Sequence, residues 1–218
     1  MSTIVIRNLA DQLAELVRDR ILSGEVPDDL PIRQDALAAE LGVSKIPLRE
    51  ALTRLEQEGL LRSQANKGYF VRPLSAEEAE EVYAIRLLLE PEATALAALR
   101  ANEDQRLAAK ASLKDLEKAA RERGAGVGAY NRAFHVALIR PAGRPLRLSI
   151  LERLHVLSER YVRKHLEPVG RDARARDEHR ELLHAWLDRD GAKVIELTHA
   201  HIAQTLDDLR KQLPEYIK

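Results

Sequence analysis

Apolar residues recur at helical spacing along almost the whole chain and give way to strand-like runs only once. Leu9, Leu13, Leu16, Val17 and Ile21 describe an amphipathic first helix, which Ser23-Gly24 and Pro27 terminate. Leu37, Ala38 and Leu41 outline a short second helix that stops at Gly42, a residue that takes a positive φ at little cost. Ser44 can then cap a third helix through the Ile46 N–H, with Pro47 in a first turn that has no use for its missing donor. Leu48, Leu52 and Leu55 form the apolar stripe of this helix, leaving Lys45, Arg49 and Arg54 off it, and Gly59 ends it. Leu60 to Ser63 and Tyr69 to Val71 read as two short strands around a tight turn at Ala65-Asn66-Lys67-Gly68.

Helix 2, a three-residue turn and helix 3 have helix-turn-helix dimensions, and the hairpin that follows has the form of a wing. Pro73-Leu74-Ser75 is the natural boundary, because Ser75 can cap a new helix whose first turns carry Glu77, Glu78, Glu80 and Glu81. The expected domains are therefore 1–74 and 75–218. Beyond the boundary every pattern is helical. Val82, Ile85, Leu88, Leu89, Leu96 and Leu99 fill a long helix bent near Pro91, and a second runs from Glu103 to Glu122 before Gly124, Gly126 and Gly128. A third holds Tyr130, Phe134, Val136 and Leu138 and stops at Pro141-Ala142-Gly143-Arg144-Pro145. The last three span Leu146 to Leu166, Asp172 to Leu187 and Ala192 to Leu213, separated by Pro168-Gly170 and Asp190-Gly191. The fold class is mainly α: a winged helix-turn-helix with a small hairpin wing, then an all-α bundle.

Composition narrows the chemistry. The 218 residues hold no cysteine, which excludes disulfides and thiolate metal sites. Charged residues at Arg7, Asp11, Glu15, Arg18 and Asp19 rule out a signal-peptide core, and no apolar run is long enough to span a bilayer, so a cytoplasmic protein is expected. Thirty-five basic residues balance thirty-five acidic ones. Nucleic-acid binding must therefore rest on local charge, and between Arg62 and Arg72 the only charged side chains, Arg62, Lys67 and Arg72, are positive.

On the residues LAAELGVSKIPLREALTRLEQEGLL and the following NKGYFV, positions 9 to 72 resemble the winged helix-turn-helix of the GntR family of bacterial repressors. The resemblance implies double-stranded operator DNA as partner. It puts Ser44, Lys45 and Arg49 at the major groove and Lys67 and Gly68 on the backbone or minor groove, with Arg33 as a phosphate contact. Lys45 stands where the family usually has arginine, which gives up a bidentate fork suited to guanine. The competing reading of Arg49 is a surface ion pair with Glu50 or Glu56, and of Arg54 a pair with Glu58 one turn on.

Tyr83-Ala84-Ile85-Arg86, Leu89-Glu90, Asn131-Arg132-Ala133-Phe134-His135, Glu178-His179 and His201 make residues 76 to 205 similar to the FCD effector domain of the FadR subfamily. Asn131 and His135 share a helical face, and His179 and His201 lie on or near the apolar stripes of two later helices. Satisfied core histidines account for that pattern on residue grounds alone. The resemblance implies instead a divalent metal ion (Zn²⁺, Ni²⁺, Mn²⁺ or Fe²⁺) held by Asn131, His135, His179 and His201 with coordination positions open. Asn131 departs from the usual aspartate. Its amide either weakens the metal or, by raising the net charge of the site, strengthens its pull on an anion. Arg86 and Arg160 are the expected clamps for a small carboxylate effector, the alternative for Arg86 being an i,i+4 salt bridge to Glu90. His155, His165, His184 and His199 read as packing or surface residues and Trp186 as core.

These readings predict a ligand-responsive regulator, a repressor by analogy, that binds an inverted repeat as a homodimer so that two recognition helices meet successive major grooves. Effector binding would change the spacing of the winged helices through the junction at Arg72 to Ser75. A metal-free regulator is one rival. A metal-dependent hydrolase or lyase with Glu178 or Glu90 as base is another, against which the chain offers no HExxH motif and no nucleophile elbow, so an enzyme is not expected.

Overall fold

The computed structural model describes residues 9–27, 30–122, 127–166 and 170–213, with backbone alone at 163–166. Gly124, Gly126, Pro168 and the side chain of His165 fall outside the described residues, as does Arg7. The chain divides into two compact units, Met1–Pro73 and Leu74–Lys218.

The first unit contains α1 (Leu9–Leu22), α2 (Gln34–Glu40), α3 (Lys45–Gln57), β1 (Leu61–Gln64) and β2 (Gly68–Val71). Leu13, Val17 and Ile21 of α1 pack with Leu48, Leu52 and Leu55 of α3, all at or below 4% exposure, so the predicted stripes face one another. The strands pair antiparallel with Leu61 opposite Val71 and Gln64 opposite Gly68, one residue longer at the turn than the apolar pattern indicates. Asn66 supplies the positive φ of 62° that this tight turn needs. Gly42 takes φ 65° between α2 and α3. Ser44 occupies the N-cap of α3 in extended conformation, but its side chain makes no capping hydrogen bond, in contrast to the expected bond to Ile46. Three ion pairs brace the helices from outside: Arg18 with Glu58 at 2.7 Å, Arg20 with Glu40 at 2.7 Å, and Arg54 with Asp11. Arg54 thus pairs with α1, because Glu58 is already taken by Arg18.

The second unit holds α4 (Ala76–Arg100), α5 (Glu103–Arg121), α6 (Val127–Ile139), a short 3₁₀ turn (Arg140–Ala142), α7 (Pro145–Leu166), α8 (Arg171–Leu187) and α9 (Gly191–Arg210). Ser75 accepts from Glu78 N–H, Asn102 and Gln105 form a reciprocal capping box, and Asp190 accepts from Lys193 N–H, so three of the helices start where sequence-local chemistry directs. One core gathers Phe134, Leu138, Trp186 and Val194 with Leu113 and Leu116. Trp186 is fully buried and donates its indole N–H to Leu138 O at 3.1 Å. A second core gathers Tyr83, Ile139, Leu151, Tyr161, Ile202 and Leu206. α4 runs through the buried Pro91 as one helix. Leu88 and Leu99, expected inside, are 77% and 56% exposed, because α4 carries apolar side chains around more of its circumference than its neighbours cover. α6 and α7 approach so closely at Gly128 that a Cβ there would lie 2.6 Å from Glu159 Cγ and 3.3 Å from Glu159 O. No helix among the described residues is long and apolar enough to cross a membrane.

A candidate histidine site and a candidate DNA surface

Three helices of the second unit each send one imidazole to a common point. His135 comes from α6, His179 from α8 and His201 from α9, and one donor nitrogen from each lies within 4.8 Å of the others. The ring centroids of His135 and His201 are 5.2 Å apart and those of His179 and His201 4.8 Å. Burial, followed by the neighbouring His179 and His201, holds His135 well below its usual pKa, so its imidazole is neutral, the form that ligates metal. His135 Nε2 is buried yet has no hydrogen-bond partner among the described residues. An orphaned buried nitrogen facing two other imidazoles fits a divalent ion of the first transition row.

The surrounding carboxylates orient these rings. Glu178 Oε2 lies 2.7 Å from His201 Nδ1, which leaves Nε2 of that ring for a ligand, and Glu178 is itself held by Arg174 at 3.1 Å. Arg174 also pairs with the buried Asp208, as does Arg171, so a run of charges joins the site to the start of α8. On the other side Glu90 Oε1 is 3.7 Å from His135 Nδ1 and 3.2 Å from His155 Nε2. Burial pushes the Glu90 carboxyl up, but Arg86 and His155 together hold it well below its ordinary range. His155, a packing residue by its sequence, is a fully enclosed one that stacks on His135 at 5.4 Å. His184 and His199 are exposed.

The cavity above the histidines is lined by Asn131 of α6, apolar side chains including Leu113, Leu116 and Ile202, and the cations Arg86 and Arg176. Arg86 donates from Nε and Nη2 to Glu90 at 2.8 and 3.2 Å and from Nη1 to Ser158 Oγ at 3.2 Å. The i,i+4 pair is thus the arrangement found, and it occupies the guanidinium that the clamp reading required. Arg160 is buried in α7 and does not line the cavity. Arg176 is the cation that sequence reasoning passed over. It lies one turn before His179 on α8, is half-buried, and has no ion-pair partner among the described residues. Its i,i+3 relation to a candidate ligand was the available signal.

In the first unit Arg33, Lys45, Lys67 and Gly68 border one surface hollow, so the start of α2, the start of α3 and the wing come together. Lys45 Nζ contacts Asp35 at 2.5 Å, both side chains being largely exposed. Neither Glu50 nor Glu56 pairs with Arg49 among the described residues, and Glu56 instead accepts from Ser63 N–H at 2.8 Å. Arg49, Lys67 and Arg33 are exposed, as is Ser44.

Comparison with known proteins agrees with this division of labour. Residues 9–71 match the model of the gntR family of bacterial regulatory proteins, and residues 81–204 match the FCD domain. The chain is 30% identical over 180 residues to the Nta operon transcriptional regulator of Aminobacter aminovorans, covering 83% of this chain and 75% of that one. It is 28% identical over 195 residues to the HTH-type transcriptional repressor GlaR of Escherichia coli, covering 85% and 89%. The fold matches that of E. coli McbR/YncC with a TM-score of 0.79 at 22% identity, over 97% of this chain and 99% of that one. The family and these relatives are regulators of transcription, not enzymes, and the hydrolase reading falls with that assignment. The chain belongs to the GntR family and is a DNA-binding transcriptional regulator whose second unit is an FCD domain.

Proposed function

We propose that this protein is a ligand-responsive repressor that binds an inverted-repeat operator as a homodimer and senses a small carboxylate at a metal site formed by His135, His179 and His201. The observation that carries the sensing half is the convergence of three imidazoles within 4.8 Å beneath a lined cavity. What a divalent ion supplies there is positive charge and an open position for a carboxylate oxygen. Asn131 lines the cavity with an amide where a carboxylate would cancel part of that charge, so the site attracts an anion more strongly. Arg176 takes the clamping role, its guanidinium being available where that of Arg86 is bound to Glu90. Arg33, Arg49 and Lys67 serve as the exposed cations of the operator contact, with Lys45 free to join them by exchanging Asp35 for a phosphate.

Leu88, Leu146 and Ile150 support the homodimer. They are 77%, 76% and 41% exposed on α4 and α7, two helices that pack against each other, and large aliphatic side chains left in water favour a partner surface. Metal content of the purified protein tests the sensing half. The expected result is about one ion per chain, lost in His135→Ala, His179→Ala and His201→Ala; equal content in all four proteins refutes the site. Gel shifts on the operator, run with and without a chelator and with a panel of organic acids, test the coupling. An acid that binds but leaves operator affinity unchanged contradicts it.

A further inference from the structure

The outward face of α3 has one feature that phosphate contacts do not explain. Ile46, in the first turn, is 73% exposed, while every other large aliphatic residue of the helix is buried. Stepping about 100° per residue, Ile46 points about 170° away from the mean direction of Leu48, Ala51, Leu52 and Leu55. It lies in the middle of the exposed arc, flanked by Arg49 on one side and Glu50 on the other. The polar neighbours are partly engaged within the protein. Lys45 contacts Asp35 at 2.5 Å, and the Thr53 hydroxyl donates to Arg49 O and meets Tyr69 Oη, both at 2.9 Å. Arg33, Lys45 and Lys67 border the adjoining hollow, so the surface around Ile46 is complementary to a phosphate-lined groove rather than to an apolar protein. In such a groove the apolar feature open to an aliphatic side chain is the 5-methyl group of thymine.

We propose that Ile46 is a specificity-determining residue that reads a thymine methyl in the major groove, with Arg49 beside it contacting a neighbouring base edge or phosphate. The inference rests on α3 being the groove-reading helix, and the test separates the two. Duplexes selected from a randomised pool by the full-length protein define the preferred sequence. Each thymine of that sequence is then replaced by deoxyuridine, which removes the methyl and leaves every hydrogen-bonding group in place. The expected result is a thymine whose replacement weakens binding roughly four-fold per methyl, the size of one buried methyl group. Ile46→Ala should weaken binding to the thymine duplex by at least that factor, bind thymine and deoxyuridine duplexes equally, and keep the wild-type unfolding temperature. Ile46→Val should keep part of the preference. Absence of any methyl-sensitive thymine overturns the proposal, as does a penalty that persists in Ile46→Ala. Arg49→Ala separates the two failures: wild-type affinity in that variant refutes α3 as the reading helix, whereas impaired binding without methyl sensitivity refutes Ile46 alone.

Discussion

The two units treat charge in opposite ways. Around the start of α3 the cations stand in water, and pairs such as Arg54 with Asp11 and Lys45 with Asp35 lie at the surface, where they contribute little to stability. Around His135 the charges are enclosed: Arg86 and Glu90 are 4% and 1% exposed, and each is satisfied by the other, by Ser158 or by His155. An exposed charge keeps its field for a partner still to come, while a buried one must be neutralised at once or the fold does not form. The DNA face is therefore a set of nearly independent contacts, and the histidine site is a network in which each member fixes the next.

Breaking the buried network gives the largest effect. Glu90→Gln leaves the Arg86 guanidinium enclosed without its counter-charge and should destabilise the second unit by about 3–5 kcal/mol. Trp186, the one tryptophan, lies in that unit, so its fluorescence during urea unfolding reports the loss directly. Arg49→Ala should lower operator affinity by about 2–3 kcal/mol, on the order of a hundredfold, if the contact is made twice as the proposed dimer requires, and should leave the Trp186 transition where it was. A gel shift with unchanged affinity would break the contrast from the DNA side. At the proposed metal site, Glu178→Gln should weaken ion binding about 10–100-fold with little change in stability, because Glu178 pairs with His201 from a partly exposed position. Competition with a chromogenic chelator measures it, and unaltered affinity would show that His201 needs no such support. Arg54→Ala should be the mildest change, under about 1 kcal/mol in thermal unfolding followed by circular dichroism.

Much of the architecture was legible because it depends on near neighbours in sequence. The stripe Leu48, Leu52 and Leu55, the cap at Ser75 and the turn at Asn66 report on residues within about five positions of themselves, and the observed helices begin and end close to the expected points. Periodicity assigns a face but not a depth. It could not tell that Leu88 faces water while Arg86, two residues away, is enclosed, because that depends on what α7 and α9 bring alongside. The candidate site divides along the same line. Residue type and helical face alone left His135, His179 and His201 as core histidines, and the resemblance to the FCD domain singled them out, but the partner of Arg86, the absence of Arg160 from the cavity and the presence of Arg176 in it depend on side chains far apart in the chain.

By itself, then, the sequence determined three helices with a hairpin wing, six further helices after them in the chain, and histidines on the inward faces of those helices. These follow from helical period, capping and turn chemistry, all local interactions. The tertiary structure decided which charges are spent on folding and which are left for ligands. That choice turns on distances of 3 Å between residues as far apart as Arg86 and Ser158. It also turns on which faces the packing leaves uncovered, as at Ile46.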